Sequence, residues 1–158
     1  MNYGPGTTGS TLKLTSETTA ESPGTKLRLE GDILYVERSD DNRTIRAHRI
    51  QPPANAAATL AAAAPVVGTY RCEEAGSTFT VSGEDGVLYG AFDGFLGKGS
   101  VWVMRHLGGS VWALGNPRSL DSTPPGDWTI VFEEGEDVKI DRCTVGCWLA
   151  RRVEYVKV

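Results

Sequence analysis

Apolar residues recur along most of this chain at a spacing of two, the repeat of a β-strand that buries one face. Leu12 and Leu14 alternate with polar neighbours, and Leu27 and Leu29 repeat the pattern after Ser22-Pro-Gly24. Strands are predicted over residues 11–15, 26–30, 33–36 and 44–50, with Gly31-Asp32 and residues 39–42 as turns. Closing a small barrel takes about eight strands, so residues 1–50 are expected to form a partial, four-stranded open sheet with two exposed edges. The glycine- and threonine-rich residues 1–9 read as a frayed leader. Residues 51–67 break the alternation with Pro52, Pro53, Pro65 and an alanine-rich middle, and read as a linker. Within it, residues 56–64 favour two turns of helix by propensity, a length that is marginal in water without packing.

From Gly68 the alternation resumes. Strands are predicted over 69–73, 77–82, 87–92, 100–106, 110–114, 128–133, 137–142 and 147–156, separated by glycine-bearing turns. Eight sequentially paired strands predict an antiparallel up-and-down barrel over residues 68–158. Trp102 with Met104, Trp128 with Ile130 and Phe132, and Val145 with Cys147 and Leu149 are the expected inward sets. Arg151 continues the last of these faces, so either it points inward or a bulge at Arg151-Arg152 resets the register before Val153 and Tyr155.

One connection is out of scale. Residues 115–126, Gly-Asn-Pro-Arg-Ser-Leu-Asp-Ser-Thr-Pro-Pro-Gly, join two predicted strands with twelve residues where hairpin loops take about two to five. Pro117, Pro124 and Pro125 restrict φ and so reduce the entropy lost when the loop orders against a partner. A loop of this kind reaches something outside the barrel.

Composition narrows the function classes. A formal charge of −4 and a pI near 5.2 supply no broad cationic surface, so nucleic acid is not expected as a partner. No apolar run approaches the roughly 20 residues of a membrane-spanning helix. The first residues lack a charged lead and an apolar signal core, which predicts a cytoplasmic location. Cys72, Cys143 and Cys147 are an odd set without a Cys-x-x-Cys pair, and read as buried free thiols. His48 and His106 stand at no zinc-finger spacing, and no metal or cofactor is expected.

Three short motifs invite catalytic readings that their context rejects. Ser10-Thr-Leu-Lys13 matches Ser-x-x-Lys, but Ser10 and Lys13 lie in a strand pattern, where a separation of three puts them on opposite faces. His106-Leu-Gly108 is a three-letter match without a Tyr-x-Asn or Ser-x-Asn companion. The glycine-rich residues 90–99 precede a strand, whereas a phosphate cradle precedes a helix, and Phe95 and Leu96 read instead as a flap over the barrel mouth. The acidic run at 133–137 reads as a solvated hairpin tip.

A strand set ending in Thr44-Ile-Arg-Ala-His-Arg-Ile50, a linker, and a meander opening on Gly68-Thr-Tyr-Arg71 and closing on Val145-Gly-Cys-Trp-Leu-Ala-Arg151 resembles the C-terminal part of bacterial D-aminopeptidases. That family joins a serine β-lactamase-like catalytic domain to two lipocalin-like eight-stranded barrels. The resemblance implies that the second barrel is complete, that the first is represented by its later half, and that the catalytic domain is missing. It also implies that a loop of the last barrel limits access to the catalytic cleft. By position that loop is 115–126, with Asn116, Pro117, Arg118, Ser119, Leu120, Asp121, Ser122, Thr123, Pro124 and Pro125 available for contact. The expected function is a non-catalytic module that supports and gates a serine peptidase domain, its principal partner, with self-association through the open strand edges. The alternative is a free-standing lipocalin-like barrel whose Trp102, Trp112, Trp128 and Trp148 partly line a cavity for a small apolar ligand. A hollow or a solid interior separates the two.

Overall fold

The computed structural model describes residues 11–40, 42–84, 87–94, 98–115, 127–137, 139–146 and 152–158. The chain divides into two compact units, Met1–Ile50 and Gln51–Val158.

The first unit is one antiparallel sheet of five strands, β1 (Lys13–Leu14), β2 (Thr19–Ser22), β3 (Thr25–Glu30), β4 (Ile33–Arg38) and β5 (Arg43–His48), paired in chain order. The four-strand expectation missed β2, where only Ala20 is apolar, and gave β1 three residues too many. Hydroxyl chemistry explains both differences. The backbone amides of Thr15 and Ser16 donate to the Thr19 carbonyl, at 3.0 and 3.3 Å, and the side-chain hydroxyls of Thr15 and Ser16 each lie 2.7 Å from that of Thr19. A tight turn is thereby closed between β1 and β2, and pairing with β3 does the rest.

In the second unit, strands β6 (Gly68–Cys72), β7 (Ser77–Glu84), β8 (Val87–Gly94), β9 (Trp102–Gly108), β10 (Val111–Leu114), β11 (Trp128–Glu134), β12 (Ile140–Gly146) and β13 (Val153–Lys157) form a closed antiparallel barrel. Each strand pairs with its sequence neighbour, and β13 returns to β6 through Val156 opposite Arg71 and Lys157 opposite Tyr70. Alternation selects the inside. In β8, Leu88, Gly90 and Phe92 are buried while Val87, Tyr89 and Asp93 are exposed. Trp112, Tyr70, Phe79, Phe132, Leu88, Leu114, Ile130, Val81 and Cys143 are the largest fully buried side chains.

The last two strands do not fall where the alternation placed them. Val145 belongs to β12, opposite Val153 of β13. The hairpin before it consumes the residues expected to open β12: the Gly135 amide donates to the Lys139 carbonyl at 2.8 Å, and the register slips between Glu133 and Glu134. The inward pair of β12 is Cys143 and Val145. Cys147, Leu149 and Arg151 lie outside the described residues.

The segment 51–67, expected as a linker, carries helix α1 (Ala56–Ala63) and a 3-10 turn (Ala64–Val66). The Asn55 side chain accepts the Ala58 amide at 3.0 Å and caps α1. Packing then supplies what eight residues lack in isolation, since Ala63 and Val66 join the barrel's core cluster. The Tyr70 hydroxyl donates to the Val66 carbonyl at 2.8 Å, and Lys157 donates to the Pro65 carbonyl at 3.1 Å. His106 holds the other flank: its Nε2 donates to the Gly109 carbonyl at 2.9 Å, leaving Nδ1 to accept from the Thr59 hydroxyl at 3.3 Å.

Cys72 and Cys143 are buried free thiols. Burial, with a smaller push from Glu133, raises the Cys143 thiol from an ordinary 9.0 to about 12. Burial also raises the Tyr70 phenol, with Cys143 adding to it. A proton held more tightly in the fold than in the unfolded chain contributes stability that is complete below pH 9 and is lost as the pH climbs towards 12. The loss per group is at most about 1.4 kcal/mol per pH unit. Denaturant unfolding of wild type and Cys143→Ala between pH 8 and 11 is expected to show a shallower alkaline decline in the variant, with Tyr70 sustaining the remainder. Equal declines would assign the alkaline loss elsewhere.

Candidate functional site

The loop residues Asn116 to Pro125 lie outside the described residues, but both of their roots are described, and both are held to β9. On one side, Gly115 follows β10 and lies under the Trp102 ring, so that a Cβ there would come within 3.0 Å of the indole. On the other, Asp127 precedes β11 and its carboxylate accepts from the Arg105 guanidinium at 2.9 Å. Trp102 and Arg105 stand on one strand, and Met104 between them points inward. The pair fixes where the chain leaves the barrel and where it returns. An exposed ion pair of this kind contributes at most about 1 kcal/mol to stability, and its effect here is positional.

Trp102 was expected to point inward beside Met104. It is 46% exposed against 4% for Met104, because it opens β9 at the end of the barrel where no further strand residue covers it. Sequence periodicity assigns a face to a side chain but not a height in the barrel, and so could not mark Trp102 as a rim residue. The neighbouring Gly115 was the only available hint, being a small residue at the end of an apolar strand.

The interior that an apolar ligand would need is occupied by rings. Phe79 stacks on Phe92 with centroids 4.4 Å apart, Phe92 meets Trp128 at 5.1 Å and Tyr155 at 5.7 Å, and Tyr70 meets Phe132 at 5.6 Å. Trp112 is buried and stacks on His106 at 4.5 Å, and its indole nitrogen has no hydrogen-bond partner among the described residues. Trp148 lies outside the described residues. Clefts of about 330 and 610 Å³ occur elsewhere, one lined by hairpin residues of the five-stranded sheet such as Lys26, Glu37 and Arg43, the other by outward residues of β11–β13 such as Thr129, Val131 and Thr144.

The rejected motifs find structural roles. Gly90 faces the core, where a Cβ would come within 2.9 Å of the Phe79 ring and 3.1 Å of Leu114, so its lack of a side chain serves packing against two core residues. Phe95 and Leu96, read as a flap, lie outside the described residues, as does Ser10, while Lys13 is exposed on β1. His106 is engaged by Thr59 and Gly109. In the acidic hairpin, a Cβ on Gly135 would strike the Asp141 carboxylate, which the Arg142 guanidinium holds below its ordinary pKa by hydrogen bonding. Among the described residues no three His, Cys, Asp or Glu side chains come together as a metal site, and no helix is long and apolar enough to cross a membrane.

Comparison with known proteins bears on what the loop roots serve. Residues 2–156 match the family model described as D-aminopeptidase, domain B. The D-aminopeptidases of Brucella ovis and Brucella canis are each 36% identical to the chain over 153 residues, and that of Brucella anthropi is 35% identical over 153 residues. These matches take in 97% of this chain and 28% of each relative, so the chain spans little more than a quarter of the length of the curated relatives it matches.

Proposed function

The chain belongs to the D-aminopeptidase domain B family, and from that premise we propose that it is a non-catalytic module of a D-aminopeptidase-like serine hydrolase, supporting a catalytic domain and narrowing its substrate cleft with residues Asn116 to Pro125. The observation that carries this reading is the double anchorage of the loop, Gly115 under Trp102 and Asp127 on Arg105. A connector needs no such definition at both ends, whereas a loop aimed at a fixed target does. About twelve residues running out and back reach at most roughly 20 Å from those roots, which is enough to enter a neighbouring domain's cleft. The matched length supports the same reading, since the relatives contain far more chain than this module.

The catalytic partner in this reading is a serine β-lactamase-like domain, and the barrel is its lipocalin-like support. The chain alone is then expected to show no turnover of a D-alanine anilide at high protein concentration. Turnover that disappears in Ser10→Ala or Lys13→Ala would overturn the proposal and restore the rejected Ser-x-x-Lys motif.

A further inference from the structure

The outer wall of the barrel is divided by charge. On β11–β13 it is ionic, with Glu133 opposite Arg142 and Glu154 opposite Thr144. On β7–β9 it is not. Thr80 and Ser82 face outward on β7, paired with Ala91 and Tyr89 of β8, and Tyr89 is paired in turn with Val103 of β9. Val87, Tyr89, Val101 and Val103 are all exposed, Val103 at 57%, and the stripe they form ends in a charge on each strand, Asp93 on β8 and Arg105 on β9. With the rim residue Trp102 they leave apolar surface on the order of 400 Å² open to water, the size at which a patch on a monomer is often functional. A charge-free centre with aromatic residues and a charged margin has the composition of a protein interface.

We propose that this stripe is the surface on which a D-aminopeptidase catalytic domain rests, a proposal that builds on the reading of residues Asn116 to Pro125 as a loop narrowing that domain's cleft. Continuity selects the occupant. Val101 and Val103 flank Trp102 and precede Arg105 on one stretch of chain, and Trp102 and Arg105 are the residues that hold the roots of the loop. A body that the loop enters within roughly 20 Å of those roots stands beside β9. Contact through the loop alone would leave the two domains free to pivot about it. A second contact, on neighbouring side chains of the strand that anchors the loop, fixes how deep the loop sits in the cleft. The chemistry of the matching surface follows from the stripe: apolar and uncharged at its centre. Arg105 is already neutralised by Asp127, so the partner need supply no counter-charge at that end.

Thiol labelling locates the contact. This chain is placed in the Brucella ovis D-aminopeptidase in exchange for the region it matches, and Val103→Cys is labelled with a maleimide both in that enzyme and in the free chain. Glu154→Cys, exposed on the charged wall, is the reference, and peptide mass separates both sites from the native thiols. Labelling at position 103 is expected to be about 10-fold or more slower in the enzyme than in the free chain, and labelling at position 154 unchanged, because reactivity follows the exposure of the thiolate. Equal rates at position 103 overturn the proposal. Slow labelling at position 103 in the free chain overturns it as well, by placing a second copy or another part of this chain on the stripe. If the exchanged enzyme does not form, the residues aligned with 103 and 154 in the intact Brucella ovis enzyme carry the same two expectations. Shortening the loop separates this proposal from the reading it builds on. Protection at position 103 with a selectivity that ignores the loop removes the gating and keeps the docking surface, whereas free labelling at position 103 with a selectivity that responds to the loop does the reverse.

Discussion

Phe79→Ala is expected to destabilise the barrel by about 3–5 kcal/mol, the cost of deleting a fully buried aromatic side chain from a core that cannot collapse onto the gap. Phe79 is completely buried, stacks on Phe92 at 4.4 Å, and meets Tyr70 and Tyr155 at 6.3 and 6.4 Å. Three ring contacts are lost with one substitution, each worth about 0.5–1.5 kcal/mol beyond the area buried. Collapse is opposed by the closed hydrogen-bond ladder, which fixes the barrel's radius regardless of what fills it. For a unit of about a hundred residues the loss corresponds to a fall in Tm of roughly 12–40 °C. Calorimetry checks the value. A fall of only a few degrees would show that the interior adapts, which would return the ligand-binding alternative to consideration. Phe79→Leu, which keeps most of the volume, should recover much of the loss.

Replacing Asn116 to Pro125 by a short Gly-Ser turn is expected to have little effect on the barrel and a large effect on catalysis. Closure entropy changes by only about 0.6 kcal/mol per doubling of loop length, so the shortened barrel should melt at the same temperature or slightly higher. If the loop narrows the cleft of a D-aminopeptidase catalytic domain, its removal from an enzyme reconstituted with such a domain should lower turnover of the aminopeptidase substrate. The same change should admit bulkier substrates, such as N-acylated ones, shifting the ratio of their kcat/KM values by about 10–100-fold. Trp102→Ala with Arg105→Ala should move selectivity in the same direction by a smaller factor, since the loop remains but its roots are loosened. Unchanged selectivity in the shortened enzyme would reduce the loop to a surface spur and remove the gating role.

Most of the barrel was legible in the sequence. Strand alternation is a local property, and Ser77–Glu84, Val87–Gly94 and Trp128–Glu134 each contain a run whose inward residues declare themselves at a spacing of two. Gly90, from the glycine-rich run weighed and rejected as a phosphate loop, stands inside β8 and faces Phe79 and Leu114. The length and proline content of residues 115–126 raise, from the chain alone, the expectation of a contact outside the barrel.

Where the alternation was weak, tertiary contacts decided. The polar run Thr19–Ser22 is a strand because β3 pairs with it and hydroxyl groups close its turn, neither of which a hydrophobic pattern records. The alanine-rich helix, marginal by itself, and the 3-10 turn after it are held by Tyr70, His106 and Lys157 of the barrel, the last bonded to Pro65 across 92 positions of chain. The height of Trp102 at the rim, and with Arg105 its hold on the roots of the loop, follow from barrel closure, which brings β13 back to β6. The sequence by itself therefore determined the all-β class, the eight barrel strands in number and the one connection longer than the rest, because each is written in residues adjacent along the chain. Only the tertiary structure decided the fifth strand, the packed helix, the starts of β12 and β13 and the anchorage of the loop, because each depends on groups that closure brings together from distant positions.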